Sequence, residues 1–164
     1  LIISPEYNGG VTPLIANLLA EYPACQGQFV TIQREVADRL VAHPSTRAYG
    51  TLSVMVQLLG TVDLIGIVPA ACFWPQPEVT SAMVAIRPRD DAREAIGEIG
   101  AFESFVTRLF SARRKQLGTT LGREAPWPAG VDPHMRPEAL TPQQMLALWK
   151  SLGSPAGHHF GFQR

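Results

Sequence analysis

Apolar positions along this chain change their spacing, and each change predicts an element. Leu1-Ile2-Ile3 is a short continuous apolar run, as in a buried strand, and it gives way to Ser4-Pro5-Glu6-Tyr7-Asn8-Gly9-Gly10. Proline fixes one backbone angle there and the glycines permit the rest, so a loop at a strand's C-terminal edge is expected. Thr12-Pro13 then offers a helix cap followed by proline at the first helical position, and Leu14, Ile15, Leu18 and Leu19 recur at helical spacing up to Tyr22-Pro23. Phe29, Val30 and Ile32 predict a strand over 28–33, and Val36, Leu40 and Val41 predict the inward face of a helix over 35–42. Strand followed by helix, repeated, is the rhythm of an α/β fold.

The next apolar runs keep that rhythm. A helix is expected over 52–59, after Tyr49-Gly50, and a β-branched strand over 62–68, closed by Pro69. Another strand over 80–86 alternates Ala82, Val84 and Ile86 against Ser81, Met83 and Ala85, with the stiff loop Phe73-Trp74-Pro75-Gln76-Pro77 between the two strands. Arg87-Pro88-Arg89-Asp90-Asp91 is polar and broken by proline. From Ala101 onward the pattern is purely helical, with Phe102, Phe105, Val106, Leu109 and Phe110 on one face. The expected organisation is an α/β unit over 1–95 and a small all-helical unit over 96–164. In the second unit, helices are expected over 113–121 and, after the cap-and-proline pair Thr141-Pro142, over 143–151. The stretch 125–137 reads as proline-rich loop, and 154–164 as a frayed tail.

Composition narrows function mostly by exclusion. The 164 residues, 46% of them hydrophobic, suffice for one sizeable core or two small ones. Fourteen basic residues balance fourteen acidic ones, so no global excess advertises nucleic acid or disorder, and any RNA contact has to come from a local cluster. Arg113-Arg114-Lys115, with Arg108 one or two turns earlier on the expected helices, is such a cluster; it is either a solvated face or a phosphate-binding patch. Cys25 and Cys72 sit in apolar surroundings without a CxxC spacing, which speaks against a disulfide framework and for a reducing, cytoplasmic compartment. His43, His134, His158 and His159 form no ligand constellation, so no metal is expected. The apolar start at Leu1 is too short for a signal peptide, and no run approaches the roughly 18 residues of a spanning helix. A soluble chain without membrane contact is expected. It begins without Met on a strand-like run, which reads as a fragment.

Four segments, in order over about two thirds of the chain, carry a sharper signal. They are Thr31-Ile32-Gln33-Arg34-Glu35-Val36-Ala37-Asp38-Arg39-Leu40, then Tyr49-Gly50-Thr51-Leu52-Ser53-Val54 followed by Gln57, then Phe73-Trp74-Pro75-Gln76-Pro77-Glu78-Val79-Thr80-Ser81, and last Phe110-Ser111-Ala112-Arg113-Arg114-Lys115-Gln116-Leu117. Together they resemble the ribosomal RNA adenine dimethyltransferase family, whose third segment follows F-x-P-x-P-x-V-x-S. The resemblance implies the second half of a class I (Rossmann-like) methyltransferase sheet, followed by a small all-helical, RNA-facing domain. It implies transfer of methyl groups from S-adenosylmethionine to the N6 amines of adenines in small-subunit ribosomal RNA. The implied partner is the immature small ribosomal subunit, met in the cytoplasm by a monomer. The family's donor site lies in the first half of the sheet, where a Gly-rich turn approaches the cofactor. No G-x-G-x-x-G stands in this chain, since Gly97 and Gly100 match only two of its positions in a polar connector. The donor-binding half is therefore expected to be absent.

The family's loop after its fourth strand reads N-L-P-Y, and the matching stretch here is Ser4-Pro5-Glu6-Tyr7. An adenine N6 lone pair is delocalised into the ring and attacks poorly. Two oxygens accepting from the amine favour the nucleophilic geometry, and an aromatic ring stacks on the extruded base. By resemblance, Ser4, Pro5, Tyr7 and Phe73 are catalytic, Ser4 also meets the cofactor, and Arg108, Arg113, Arg114 and Lys115 bind RNA. The loop keeps the aromatic residue and the Pro5 carbonyl but has Ser for Asn and Glu for Pro, and 7–13 is one residue longer than usual. A chain that docks on ribosomal RNA without methylating it, as a ribosome-biogenesis module, is the alternative. Structural roles stand beside the chemical ones: Tyr7 could cap a turn, Phe73 could pack the strand connection, and Glu35 and Arg39 are spaced as a surface helix pair. Residues 4–10 alone also look like the S-P-E-Y-N-G loop of flavodoxin-like, NADPH-dependent FMN reductases.

Overall fold

A computed structural model describes residues 2–3, 27–89 and 91–153. The expected loop over 4–10, the helix after Thr12, Cys25 and the tail over 154–164 lie outside the described residues. Strands β1 (Ile2–Ile3), β2 (Gln28–Gln33), β3 (Gly60–Val68) and β4 (Ser81–Pro88) form one sheet in the order β1-β2-β4-β3. Helices α1 (Arg34–Leu40), α2 (Thr51–Leu59), α3 (Ala92–Ile96), α4 (Ile99–Ser111), α5 (Leu117–Leu121) and α6 (Pro142–Ser151) accompany it. β2, β3, β4, α1 and α2 form about where the sequence predicts them, whereas α3 is not among the expected elements.

β1 runs parallel to β2, and β4 is antiparallel to both β2 and β3. Opposed residues of neighbouring strands point to the same face, so Val30 with Val84, Ile32 with Ala82, and Ile86 with Val62 make one apolar surface. Val30, Ile32, Ala82, Val84 and Ile86 are buried, as the alternation predicts; Ala85 on the opposite face is buried too. β3 is the edge strand, and Leu64, Ile65 and Ile67 stay exposed on it. Its register skips between Leu64 and Gly66, leaving Ile65 opposite no residue, as in a β-bulge.

The centre of the molecule is α2, in which Val54, Met55, Val56, Leu58 and Leu59 are all buried. A helix apolar on every side has to be covered on every side. Here α1, β3, α4 and α6 cover it. On α1 the expected inward face is corrected slightly: Leu40 and Ala37 are fully buried, whereas Val36 and Val41 are half-buried. Glu35–Arg39 forms as an exposed i,i+4 pair, worth a few tenths of a kcal/mol.

In the helical part, Phe102, Phe105, Val106 and Leu109 of α4 are buried, and Phe102 and Phe105 lie 5.9 and 5.2 Å from the Trp149 ring of α6. α6 begins as the cap-and-proline pair predicts. The Thr141 hydroxyl accepts from the Gln144 N–H at 3.2 Å while the Gln144 side chain accepts from the Thr141 N–H at 2.9 Å, a capping box. Tyr49 ties the parts together: its hydroxyl donates to the Leu140 carbonyl at 2.8 Å and its ring meets Phe110 edge-on at 5.8 Å. Buried residues from both sides of position 95 belong to one continuous core.

The helix expected over 113–121 is shorter than its pattern suggests, and α5 holds only Leu117–Leu121. Arg113 and Lys115 instead close turns three residues back, on Phe110 and Ala112. The Leu117 and Gly118 N–H groups are then taken by the Met135 and Pro133 carbonyls, both at 2.8 Å. Tertiary acceptors have captured the donors that a continuous helix would have used. Cys72 also departs from expectation, being exposed at the end of the 3-10 turn Ala70–Cys72.

Candidate functional site

The strand registers place the end of β1 and the loop that holds Phe73 at one edge of the sheet. Ile3 lies opposite Thr31, and Gln33 at the end of β2 lies opposite Ser81 at the start of β4. The end of β1 therefore lies at the same edge where the loop 69–80 connects β3 to β4. Ser4, Pro5 and Tyr7 themselves lie outside the described residues. Phe73 is within them, half-buried and extended (φ −118°, ψ 150°). Its loop is anchored at both ends: the Cys72 and Phe73 N–H groups donate to the Pro69 and Ala70 carbonyls, and the Arg34 N–H at the start of α1 donates to the Thr80 carbonyl at 3.0 Å. Trp74, beside Phe73, is exposed, and the Trp74–Pro75 peptide is cis.

The basic cluster sits elsewhere, in the turn between α4 and α5. Arg113 donates from Nε and Nη2 to one oxygen of Glu138, at 2.9 and 2.8 Å, and from Nη1 to the Arg47 carbonyl at 3.4 Å. Arg114 and Lys115 are exposed in the same turn, and Arg108 is exposed in the last turn of α4. The four predicted RNA-binding residues thus stay close in sequence, but Arg113 is engaged within the protein. Glu138 was not foreseen as its partner; the two are 25 residues apart and share no local pattern.

The second family-like segment has a structural explanation. The Ser53 hydroxyl donates to the Arg39 carbonyl at 2.6 Å, and the Gln57 amide donates to the Leu40 and Ala42 carbonyls, each at 2.9 Å. The Arg39 and Leu40 carbonyls belong to the last turn of α1 and the Ala42 carbonyl lies just beyond it, where a helix runs out of intrahelical donors. Ser53 and Gln57, one turn apart on α2, close it off. Tyr49, from the same segment, has its pKa raised well above the usual tyrosine range by burial.

An open cleft of about 420 Å³ between the end of α1, the start of β3 and the start of α6 has no counterpart in any sequence motif. His43, Gln57, Asp63, Arg89 and Gln143 line it, brought together from positions too scattered to form a pattern. No group of His, Cys, Asp and Glu among the described residues could hold a metal ion. No described helix is long and apolar enough to cross a membrane.

S-adenosylmethionine, implied by the resemblance, needs a strand-to-helix turn whose backbone it can approach closely. Two described strands run into helices: β2 passes straight from Gln33 to Arg34 of α1, whose N–H is already spent on Thr80, and β4 reaches α3 through Arg89-Asp90-Asp91; neither junction contains glycine. The described residues do not fit the donor.

A family model described as ribosomal RNA adenine dimethylase matches residues 5–153. Among curated relatives, the ribosomal RNA small subunit methyltransferase A of Chromohalobacter salexigens is 36% identical over 141 residues, 84% of this chain and 50% of its own length. That of Anaeromyxobacter dehalogenans is 37% identical over 152 residues, 87% of this chain and 53% of its own. The chain spans about half the length of the curated relatives it matches. Among solved structures, a dimethyladenosine transferase from Plasmodium falciparum superposes with a TM-score of 0.76 at 18% identity, over 93% of this chain and 66% of that one. The 23S rRNA methyltransferase ErmE gives 0.54 at 24%, over 92% and 63%. At these identities the two structures speak to the fold alone, an α/β sheet with accompanying helices. The FMN reductase likeness of residues 4–10 is not borne out, because the dimethylase match starts at residue 5 and continues through the remaining elements. With the family match spanning nearly all described elements and relatives above one third identical, the chain belongs to the ribosomal RNA adenine dimethylase family.

Proposed function

We propose that this chain supplies the acceptor side of an S-adenosylmethionine-dependent dimethyltransferase acting on N6 of adenines in small-subunit ribosomal RNA. On this reading residues 1–95 are the second half of the methyltransferase sheet, 96–164 are its RNA-facing helical domain, and the two share a core through α2. The observation that carries the reading is the sheet edge where the exit of β1 and the Phe73 loop converge. A base turned out of its helix at that edge would have Phe73 on one side and Tyr7 on the other, with Ser4 and the Pro5 carbonyl accepting from its amine. Orienting the amine this way exposes its lone pair to the methyl group. Phosphates of the same RNA would meet Arg108, Arg114 and Lys115, with Arg113 holding their turn in place. The partner is the immature small ribosomal subunit, the compartment is the cytoplasm, and the working unit is a monomer.

Two measurements on the chain as it stands test this. Titration calorimetry with S-adenosylmethionine should give no saturable heat, because neither described strand-to-helix junction offers a glycine cradle. A dissociation constant in the micromolar range would overturn the assignment of the chain to the acceptor side. Undermethylated small subunits should bind the chain with an affinity that falls with salt; failure to bind them would remove the RNA-facing role.

A further inference from the structure

The loop that holds Phe73 also presents an aromatic ring that the chemistry above does not use. Trp74 is 97% exposed, against 57% for Phe29, the next most exposed large apolar side chain among the described residues. The backbone beneath it is held. Cys72 and Phe73 N–H groups bond to the Pro69 and Ala70 carbonyls at 3.0 and 3.1 Å, and Pro75 and Pro77 each fix a backbone angle. An indole has only two side-chain torsions, so a ring displayed this way loses little freedom when something stacks on it.

Its direction follows from Phe73, whose backbone is extended. Successive side chains of extended chain point to opposite sides. Phe73 turns inward and is half-buried; Trp74 turns out to solvent from the same sheet edge. A single ring cannot supply the roughly 1,000 Å² that a stable protein interface buries, but it matches the face of one base.

We propose that Trp74 stacks on a nucleobase flanking the adenine that Phe73 receives, so that this loop grips unpaired RNA at two bases. The inference rests on the RNA reading of the preceding section. Residues 69–80 contain one ionised side chain, Glu78, and no cation, so the grip is one of stacking and not of phosphate binding. Its contribution is therefore insensitive to salt, unlike that of the basic turn. It also requires bases that are not already stacked in a duplex.

The test uses the full chain and a dye-labelled oligoadenylate, followed by anisotropy at several salt concentrations. Trp74→Ala should weaken binding roughly 5- to 100-fold at every salt concentration and leave the log-log slope unchanged, while Trp74→Phe should restore most of the loss. Indole fluorescence should be quenched by the oligonucleotide in the parent chain and not in Trp74→Phe, because Trp149 is buried and Trp127 is half-buried with its N–H on the Arg123 carbonyl. Thermal midpoints of all three proteins should agree, since the ring supports nothing beneath it. Parent-like binding by Trp74→Ala, a reduced salt slope, or a fall in midpoint that tracks the drop in affinity would each overturn the proposal. A chain that binds undermethylated small subunits but not the oligoadenylate would also overturn it and leave the RNA reading standing. Failure to bind either would remove that reading itself.

Discussion

On the proposed RNA-facing role, the Glu138 contact would divide the basic turn into two jobs, and the division can be measured. The Arg113 side chain is 36% exposed and that of Glu138 27%, and two guanidinium nitrogens converge on a single carboxylate oxygen. A third nitrogen is directed at the Arg47 carbonyl. Little of Arg113 is left for a phosphate, whereas Arg114 and Lys115 are exposed. Removing one phosphate-binding cation lowers the slope of log affinity against log salt by about 0.9 on duplex DNA and about 0.7 on single strands. Arg114→Ala combined with Lys115→Ala should therefore reduce the slope by roughly 1.4 to 1.8, taking RNA to lie within those limits. Arg113→Ala should leave the slope alone and cost stability instead. Glu138 would be deprived of its partner in a partly solvated place, at a cost of about 1–2 kcal/mol after allowing for solvent screening. For a chain of this size that corresponds to roughly 2–8 °C in thermal midpoint. Anisotropy with a small-subunit RNA helix gives the slopes, and thermal circular dichroism gives the midpoints. If Arg113→Ala flattens the slope as much as Arg114→Ala alone, Arg113 abandons Glu138 for phosphate and the division is wrong.

Tyr49→Phe keeps the ring on Phe110 but removes the donor to the buried Leu140 carbonyl, so the urea midpoint should fall by an amount equivalent to about 1–3 kcal/mol. Burial raises the folded-state pKa of Tyr49, so its stabilising effect is constant below the unfolded tyrosine value of about 10 and declines as pH rises above it. Tyr49→Phe should flatten that decline, and parallel stability curves for the two proteins above that pH would contradict the assignment. Gly60→Ala places a Cβ 2.4 Å from the Arg87 carbonyl oxygen, which is backbone and cannot swing aside, so a loss of about 1–3 kcal/mol is expected. An unaltered urea midpoint for that variant would mean that the junction of α2 and β3 yields more than its geometry allows.

The parts of this fold that could be read from the sequence are those whose signal is local. Alternation on β4 and the cap-and-proline pair at Thr141 report on the residues that carry them, and both elements form where expected. The helix over 113–121 failed because its outcome is decided at Pro133 and Met135, whose carbonyls compete for the Leu117 and Gly118 N–H groups. Ser53 and Gln57 could be recognised as part of a family-like segment, yet their work was invisible. Nothing in their spacing says that the acceptors lie at the end of a different helix. The motif singles out Phe73 as a candidate, while the exposure of Trp74 next to it is a property of the folded loop alone.

The boundary near residue 95 has the same character. In the sequence it follows from the end of the strand pattern at Pro88 and the helical spacing that takes over within a dozen residues, and in the fold position 95 falls inside α3. Energetically the division is less sharp, because α2 belongs to the α/β part by sequence and packs against both α4 and α6. Separating the parts would expose apolar faces of α2, whose Val54, Met55 and Val56 are completely buried, and would break the Tyr49 bond to Leu140. At roughly 25 cal/mol for each Å² of apolar surface returned to water, even a partial opening there is opposed by several kcal/mol. The sheet edge bearing Phe73 and the turn bearing Arg114 and Lys115 are therefore fixed on one body. On the proposed RNA-facing role, an RNA that contacts both would have to arrive already shaped to span them, and selectivity would then reside as much in the RNA's three-dimensional form as in any single base.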